Sequence, residues 1–193
     1  CLGDGRLRGC NTDIVGVRKA LESVGLSFQG RVCVLGSGAT SGLLAMEAAL
    51  KGCEVTVALR PSSWQRGMEL AERIADQTGR RISLVTHEEL SGNFDLLLNG
   101  TIAGMYPNGH ECPVSPDFLG HVGGVFDAVY NPSPTLLIQH ALERGIPAAG
   151  GLVMLVWQAA AAQTYWHGIE FDPGEVNKIV EQCRIYIHNQ FGQ

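Results

Sequence analysis

Gly36 and Gly38 stand one residue apart between two contrasting runs. Before them lies Arg31–Leu35 (RVCVL), β-branched and apolar; after them Thr40–Leu50 (TSGLLAMEAAL) has helical composition. A strand that turns through glycines into a helix aims free backbone N–H groups and the positive end of the helix dipole at one point. That arrangement holds a pyrophosphate, so Gly36, Ser37, Gly38, Ala39 and Thr40 form a candidate dinucleotide loop. The third glycine of a G-x-G-x-x-G fingerprint is replaced by Ser41, with Gly42 following, so the helix must pack there around a small hydroxyl. A tight strand-to-helix turn without a ligand is the competing reading.

The end of the next strand-like run, Glu54–Leu59, chooses between cofactors. NAD sites usually place an acid here for the ribose hydroxyls. This sequence has Leu59-Arg60-Pro61-Ser62-Ser63 instead. An acid would repel a 2′-phosphate, whereas Arg60 can bond it with charge assistance, Ser62 and Ser63 add hydroxyls, and Arg66 follows. The pattern favours NADP over NAD; the alternative for Arg60 is a solvated surface charge.

Other polar residues lie where chemistry is possible. Asn99 and Thr101 end a strand at its carboxyl edge, where open α/β sheets bind ligands, and equally suit turn capping. Asp13 begins a helical run and reads first as an N-cap. Tyr130, near Pro132, is either a site residue or a turn aromatic. Gln158 lies in an otherwise apolar helix and needs hydrogen-bond partners, either a substrate hydroxyl or nearby backbone. Trp157, Tyr165 and Trp166 read as packing residues. The six histidines show no paired spacing and receive no metal or catalytic role.

The elements that must position these residues alternate regularly. Strands are expected at 31–35, 54–59, 82–85, 95–98, 124–128 and 146–149. Helices are expected at 13–24, 40–50, 64–77, 134–144, 152–165 and 173–189. This order predicts an α/β, Rossmann-type, doubly wound parallel sheet of six strands with flanking helices. The strands are apolar throughout, as a sheet covered on both faces requires.

Composition narrows the class. A chain of 193 residues with 45% hydrophobic and 17% charged residues builds one well-buried domain. A net charge of −5 argues against non-specific nucleic-acid binding. No apolar run reaches the roughly 20 residues of a membrane span. The six cysteines are scattered, without zinc spacing, which suits a reduced cytoplasmic protein. The expected partner is a small-molecule substrate, with a homodimer possible. The sequence starts at Cys1, and Asp4–Leu7 reads as a hairpin tip already under way, so further chain is expected upstream.

Five motifs fall in order: Gly9-Cys10-Asn11-Thr12-Asp13, Val34–Ala39, Asn99–Met105, Asp127–Pro132 and Gly150–Gln158 (GGLVMLVWQ). Together they resemble the shikimate dehydrogenase family over essentially the whole chain. The resemblance implies NADP-dependent, reversible reduction of 3-dehydroshikimate to shikimate, in aromatic amino acid biosynthesis. Quinate is the alternative substrate, and a cofactor-binding module without turnover of its own is the alternative function. It implies that Asp13 is half of a Lys–Asp proton pair, which reverses the N-cap reading, and that Tyr130 and Gln158 lie by the substrate. Gly36–Thr40 match the pyrophosphate loop and Leu59–Trp64 the segment on the 2′-phosphate; Ala128 and Gly151 match positions lining the nicotinamide. The family's lysine sits in an upstream substrate domain, and Lys19, Lys51 and Lys178 match no such motif. Residues 1–193 are therefore expected to be the NADP-binding domain, with 1–25 and 152–193 facing that other domain. Two departures stand out: Leu59-Arg60-Pro61 replaces the usual N-R-T, and Ile14 follows Asp13 where glycine is common.

Overall fold

The structure, a computed structural model, describes residues 6–191. Cys1 to Gly5, and with them the first half of the expected hairpin tip, lie outside the described residues; residues 6–12 carry no regular secondary structure.

Six parallel strands are ordered β3-β2-β1-β4-β5-β6, where β1 is Arg31–Leu35, β2 Glu54–Leu59, β3 Ser83–Thr86, β4 Leu96–Asn99, β5 Val125–Asp127 and β6 Ala148–Gly150. The order reverses between β1 and β4, so the loops leaving these two strands diverge and open a crevice at their carboxyl ends. Alternate residues serve opposite faces. Val32 and Val34 join one core with Val55, Val57, Leu96 and Leu98; Cys33 and Leu35 join the other with Ala58, Leu97 and Val125. Both faces are dry, which is why these strands read as unbroken apolar runs.

The first face is covered by α1 (Asp13–Glu22), α2 (Ala39–Leu50) and α3 (Trp64–Thr78), and by Val153 and Met154 of α5 (Gly151–His167). The second is covered by α4 (Leu136–Glu143) and a 3₁₀ helix at Pro116–His121. A last helix, α6 (Pro173–Phe191), packs on α5 and buries Val176 and Val180. α1 lies tightly on α5, because a Cβ at Gly16 would strike the Met154 carbonyl. The buried Glu47 of α2 ties to α1 through Arg18, with Nη2 at 2.6 Å and Nε at 2.9 Å from Oε1.

Element boundaries depart from expectation for local reasons. α1 stops at Glu22, because Gly25 takes a positive φ of 75° and Leu26 N–H donates back to the Leu21 carbonyl at 2.9 Å. α4 starts at Leu136, because the Thr135 hydroxyl accepts from Ile138 N–H and so makes Thr135 the cap. Ile146 donates to the Ala141 carbonyl at 2.9 Å and still belongs to the helix end, so β6 begins two residues late.

Candidate functional site

The β1–α2 turn is built around Gly36. Its φ is +93°, and a Cβ there would lie 2.7 Å from Thr101 Cγ2 and 2.8 Å from Ser41 Oγ. Only glycine fits. Gly38 caps α2 with extended backbone and no side-chain bond, so the first-turn N–H groups of Ala39 and Thr40 keep no capping acceptor. Ser41 is fully buried and its hydroxyl donates to the Leu35 carbonyl at 2.9 Å. Gly100, leaving β4, lies against Ser41: a Cβ would be 2.5 Å from its Oγ and 2.6 Å from its N.

A cavity of about 270 Å³ opens over this turn. Gly36, Ser37, Gly38, Arg60, Ser63 and Thr101 line it, joined by Ser41, Arg66, His87, Gly100 and Ile102. No acid lines it, while two guanidiniums and one imidazole do. Ser63 Oγ accepts from Arg66 Nη2 at 3.1 Å. Burial, then the Arg60 charge, hold His87 below the usual imidazole pKa. Leu59 is buried in the core beneath the cavity and contributes its carbonyl to His87 N–H at 3.1 Å; Ser62 is exposed and outside the lining. The glycine turn and the cationic wall thus fit a pyrophosphate and a phosphomonoester, with space that side chains at 36 and 100 would remove.

Asn99 does not face this cavity. It is fully buried; its Nδ2 donates to Asp127 Oδ1 at 2.9 Å, and its Oδ1 accepts from Thr101 N at 3.0 Å and Thr101 Oγ1 at 2.7 Å. Asp127 also accepts from Val129 N at 3.1 Å and Thr135 Oγ1 at 2.6 Å. One carboxyl therefore holds the ends of β4 and β5 and the start of α4. Burial pushes its pKa up to about 6, against the pull of those three donors. Asn99 thus holds Thr101, which does line the cavity, through both its N–H and its hydroxyl.

A second group of expected residues gathers where α1 meets α5. Thr12 Oγ1 donates to Gln158 Oε1 at 3.4 Å, and Gln158 Nε2 donates to the Leu155 carbonyl at 3.0 Å. Asp13 is exposed as the first helical residue; its N–H donates to Asn11 Oδ1 at 2.9 Å. Thr12, not Asp13, occupies the N-cap position, and without a side-chain bond. The Asp13 carboxylate accepts no hydrogen bond among the described residues. Ala128 continues β5, donating its N–H to the Asn99 carbonyl at 2.9 Å; Gly151 opens α5 against the Ala128 carbonyl, where a Cβ would not fit. Tyr130, 44% exposed, follows on the same edge of the sheet.

Sequence reasoning passed over His87, Asp127 and Thr135. His87 emerges only once β3 is known to lie beside β2. Asp127 and Thr135 had a signal: an acid ending an apolar strand, and a Thr before a helix. Among the described residues, no group of His, Cys, Asp and Glu could hold a metal, and no helix is long and apolar enough to cross a membrane.

No protein-family model matches the chain. It is 33% identical over 172 residues to the NADP(+) shikimate dehydrogenase of Caldanaerobacter subterraneus, covering 88% of this chain and 61% of the relative. It is 35% identical over 181 residues to that of Methanosarcina acetivorans, covering 90% and 63%. Among solved structures, the Thermus thermophilus shikimate 5-dehydrogenase in complex with NADP(H) and shikimate superposes with a TM-score of 0.78 at 31% identity, covering 93% and 65%. The chain thus spans about six tenths of the length of the relatives that it matches. Over that shared stretch, in sequence and in fold, the chain belongs to the shikimate dehydrogenase family.

Proposed function

We propose that this chain binds NADP(H) and presents it for the reversible reduction of 3-dehydroshikimate to shikimate. The observation that carries the reading is the acid-free wall of Arg60, Arg66, Ser63 and His87 beside the Gly36–Gly38 turn. The N–H groups that open α2 would hold the pyrophosphate, and Arg60 and Ser63 would hold the 2′-phosphate. The bound cofactor supplies the hydride. The protein's part is to orient it: Gly100 and Thr101 bound the crevice at β4, and Ala128 and Gly151 floor it at β5 and β6. The Asp13 carboxylate stands free to take part in proton transfer, with Gln158 beside its helix to bond a substrate hydroxyl.

The second proton group is the lysine that the family carries on its substrate domain. Within this chain, Lys19 stands 5.5 Å over the Trp157 ring and Lys178 pairs with Glu175 at 2.6 Å, while Lys51 is exposed behind α2. None of them lines the cavity. The substrate domain docks on the side of α1, α5 and α6, where Trp166, Tyr165 and Leu155 are exposed. The five described cysteines are unpaired, which suits the cytoplasm.

The test is Arg60→Ala with both cofactors. Loss of a charge-assisted phosphate contact costs about 1.5–3 kcal/mol, so NADPH binding weakens about ten- to a hundredfold. NADH, which lacks the phosphate, weakens far less. Equal losses for the two cofactors, measured by fluorescence titration, overturn the reading.

A further inference from the structure

The pairing of β2 with β3 aligns Leu59 with Thr86. The next residue of each strand, Arg60 and His87, therefore leaves the sheet edge side by side, and both line the cavity. The position of His87 is fixed by its own N–H, which donates to the Leu59 carbonyl at 3.1 Å. A half-buried imidazole facing two guanidiniums with no acid opposite is an unfavourable neighbour for them unless an anion comes between.

We propose that His87 is a specificity-determining residue that couples cofactor choice to a proton: it is neutral in the empty cavity and takes up a proton when the 2′-phosphate enters. The inference rests on the NADP(H) reading above. The charged groups around the ring are few. Arg60 comes from the end of β2 and Arg66 from α3. On its own turn stand the exposed Glu88 and Glu89, the latter engaged with Thr86 N and Oγ1 at 2.9 Å each. Burial, and after it Arg60, lowers the imidazole pKa when no phosphate is bound. A phosphate dianion a few ångströms away acts in the opposite sense and raises it. The proton comes from solvent and returns there when the cofactor leaves, so no bond between heavy atoms is made or broken. NADH brings no phosphate and moves no proton.

The phosphate's own second pKa is about 6, so above about pH 6.5 it is largely dianionic and the remaining slope belongs to the protein. If the phosphate raises the His87 pKa by about one, the full gain of about tenfold lies below both values; because the empty-site imidazole already sits below its usual value, NADPH binding weakens about two- to fivefold between about pH 6.5 and 8.5 while NADH binding stays nearly level. Calorimetric titrations of the chain with NADPH, NADH and 2′-AMP, in two buffers of different ionisation enthalpy, read the slope and the proton uptake together. The expected result is uptake with NADPH and 2′-AMP, none with NADH, and loss of both slope and uptake in His87→Gln. Independently of any variant, the His87 ring proton followed by NMR should titrate at higher pH with 2′-AMP than without. NADPH binding without proton uptake, or uptake that persists in His87→Gln, overturns the role of His87 and leaves the cofactor reading standing. Failure of the unmodified chain to bind NADPH overturns both.

Discussion

Asp127 offers a perturbation whose magnitude follows from the structure. Its carboxyl is fully buried, with a pKa pushed from 3.8 to about 6 by burial. The folded state thus keeps a proton through a window in which the unfolded chain has released it. The stabilisation from that proton is complete below the unfolded value and is lost as pH rises through the folded one. The difference between the two values amounts to about 3 kcal/mol, of which about 2 kcal/mol falls between about pH 4.5 and 7.5. Asp127→Asn is the matching substitution. The amide oxygen keeps the bonds from Asn99 Nδ2 and Val129 N, and the amide nitrogen donates to Thr135 Oγ1 where the carboxyl oxygen had accepted. The variant has no proton to release. Urea unfolding of both proteins across this range isolates the effect from every other carboxyl, because only the difference between the two curves is read. The variant's stability relative to the parent should rise by about 2 kcal/mol from the acid to the neutral end. A difference that does not change with pH refutes the burial argument. A difference of opposite slope shows instead that the three donors outweigh desolvation and hold the carboxylate ionised.

Two glycines give further tests. Gly100→Ala drives a methyl group into Ser41 N and Oγ, displaces the start of α2 and should weaken NADPH binding at least about tenfold, with about 1–3 kcal/mol lost on thermal unfolding. Gly38→Ala, with no atom within 4 Å of the new Cβ, is its control and should change stability little. Gly16→Ala forces α1 away from the Met154 carbonyl, so a loss of about 1–3 kcal/mol in urea unfolding is expected, and the Thr12–Gln158 contact should open with it.

Much of the fold was legible because two signals agreed: unbroken apolar strands and helical runs between them. Every expected strand is present, β1 and β2 with the expected bounds and the other four with ends shifted by one or two residues. The shifts come from groups whose partners lie elsewhere in the chain: Thr135 caps α4 while donating to Asp127, and Ile146 finishes the turn that Ala141 began. The cavity was legible along one strand at a time. Arg60 and Ser63 follow β2 in sequence, but His87 reaches them only through the register of β3 on β2, which no local pattern encodes. Asn99 was placed correctly at the sheet's carboxyl edge, but its buried bond to Asp127 was not legible. A polar residue at a strand end is pulled both ways, and the outcome depends on a partner 28 residues distant.

Ser41 shows most clearly what a fingerprint leaves out. Read along one strand-turn-helix unit, it is a defect: a side chain where helix and strand should close up. In three dimensions the requirement is for space, and Gly100 on the neighbouring strand supplies it. The hydroxyl is bonded rather than merely tolerated. Leu35 O, the last carbonyl of β1, accepts both Ser41 Oγ at 2.9 Å and Gly100 N at 3.3 Å. Glycine at position 41 would close the gap but leave that carbonyl with the weaker of its two donors. The glycine has in effect moved from the helix to the adjoining loop, and the serine that replaced it fastens β1, α2 and the β4 loop at the point where the crevice begins.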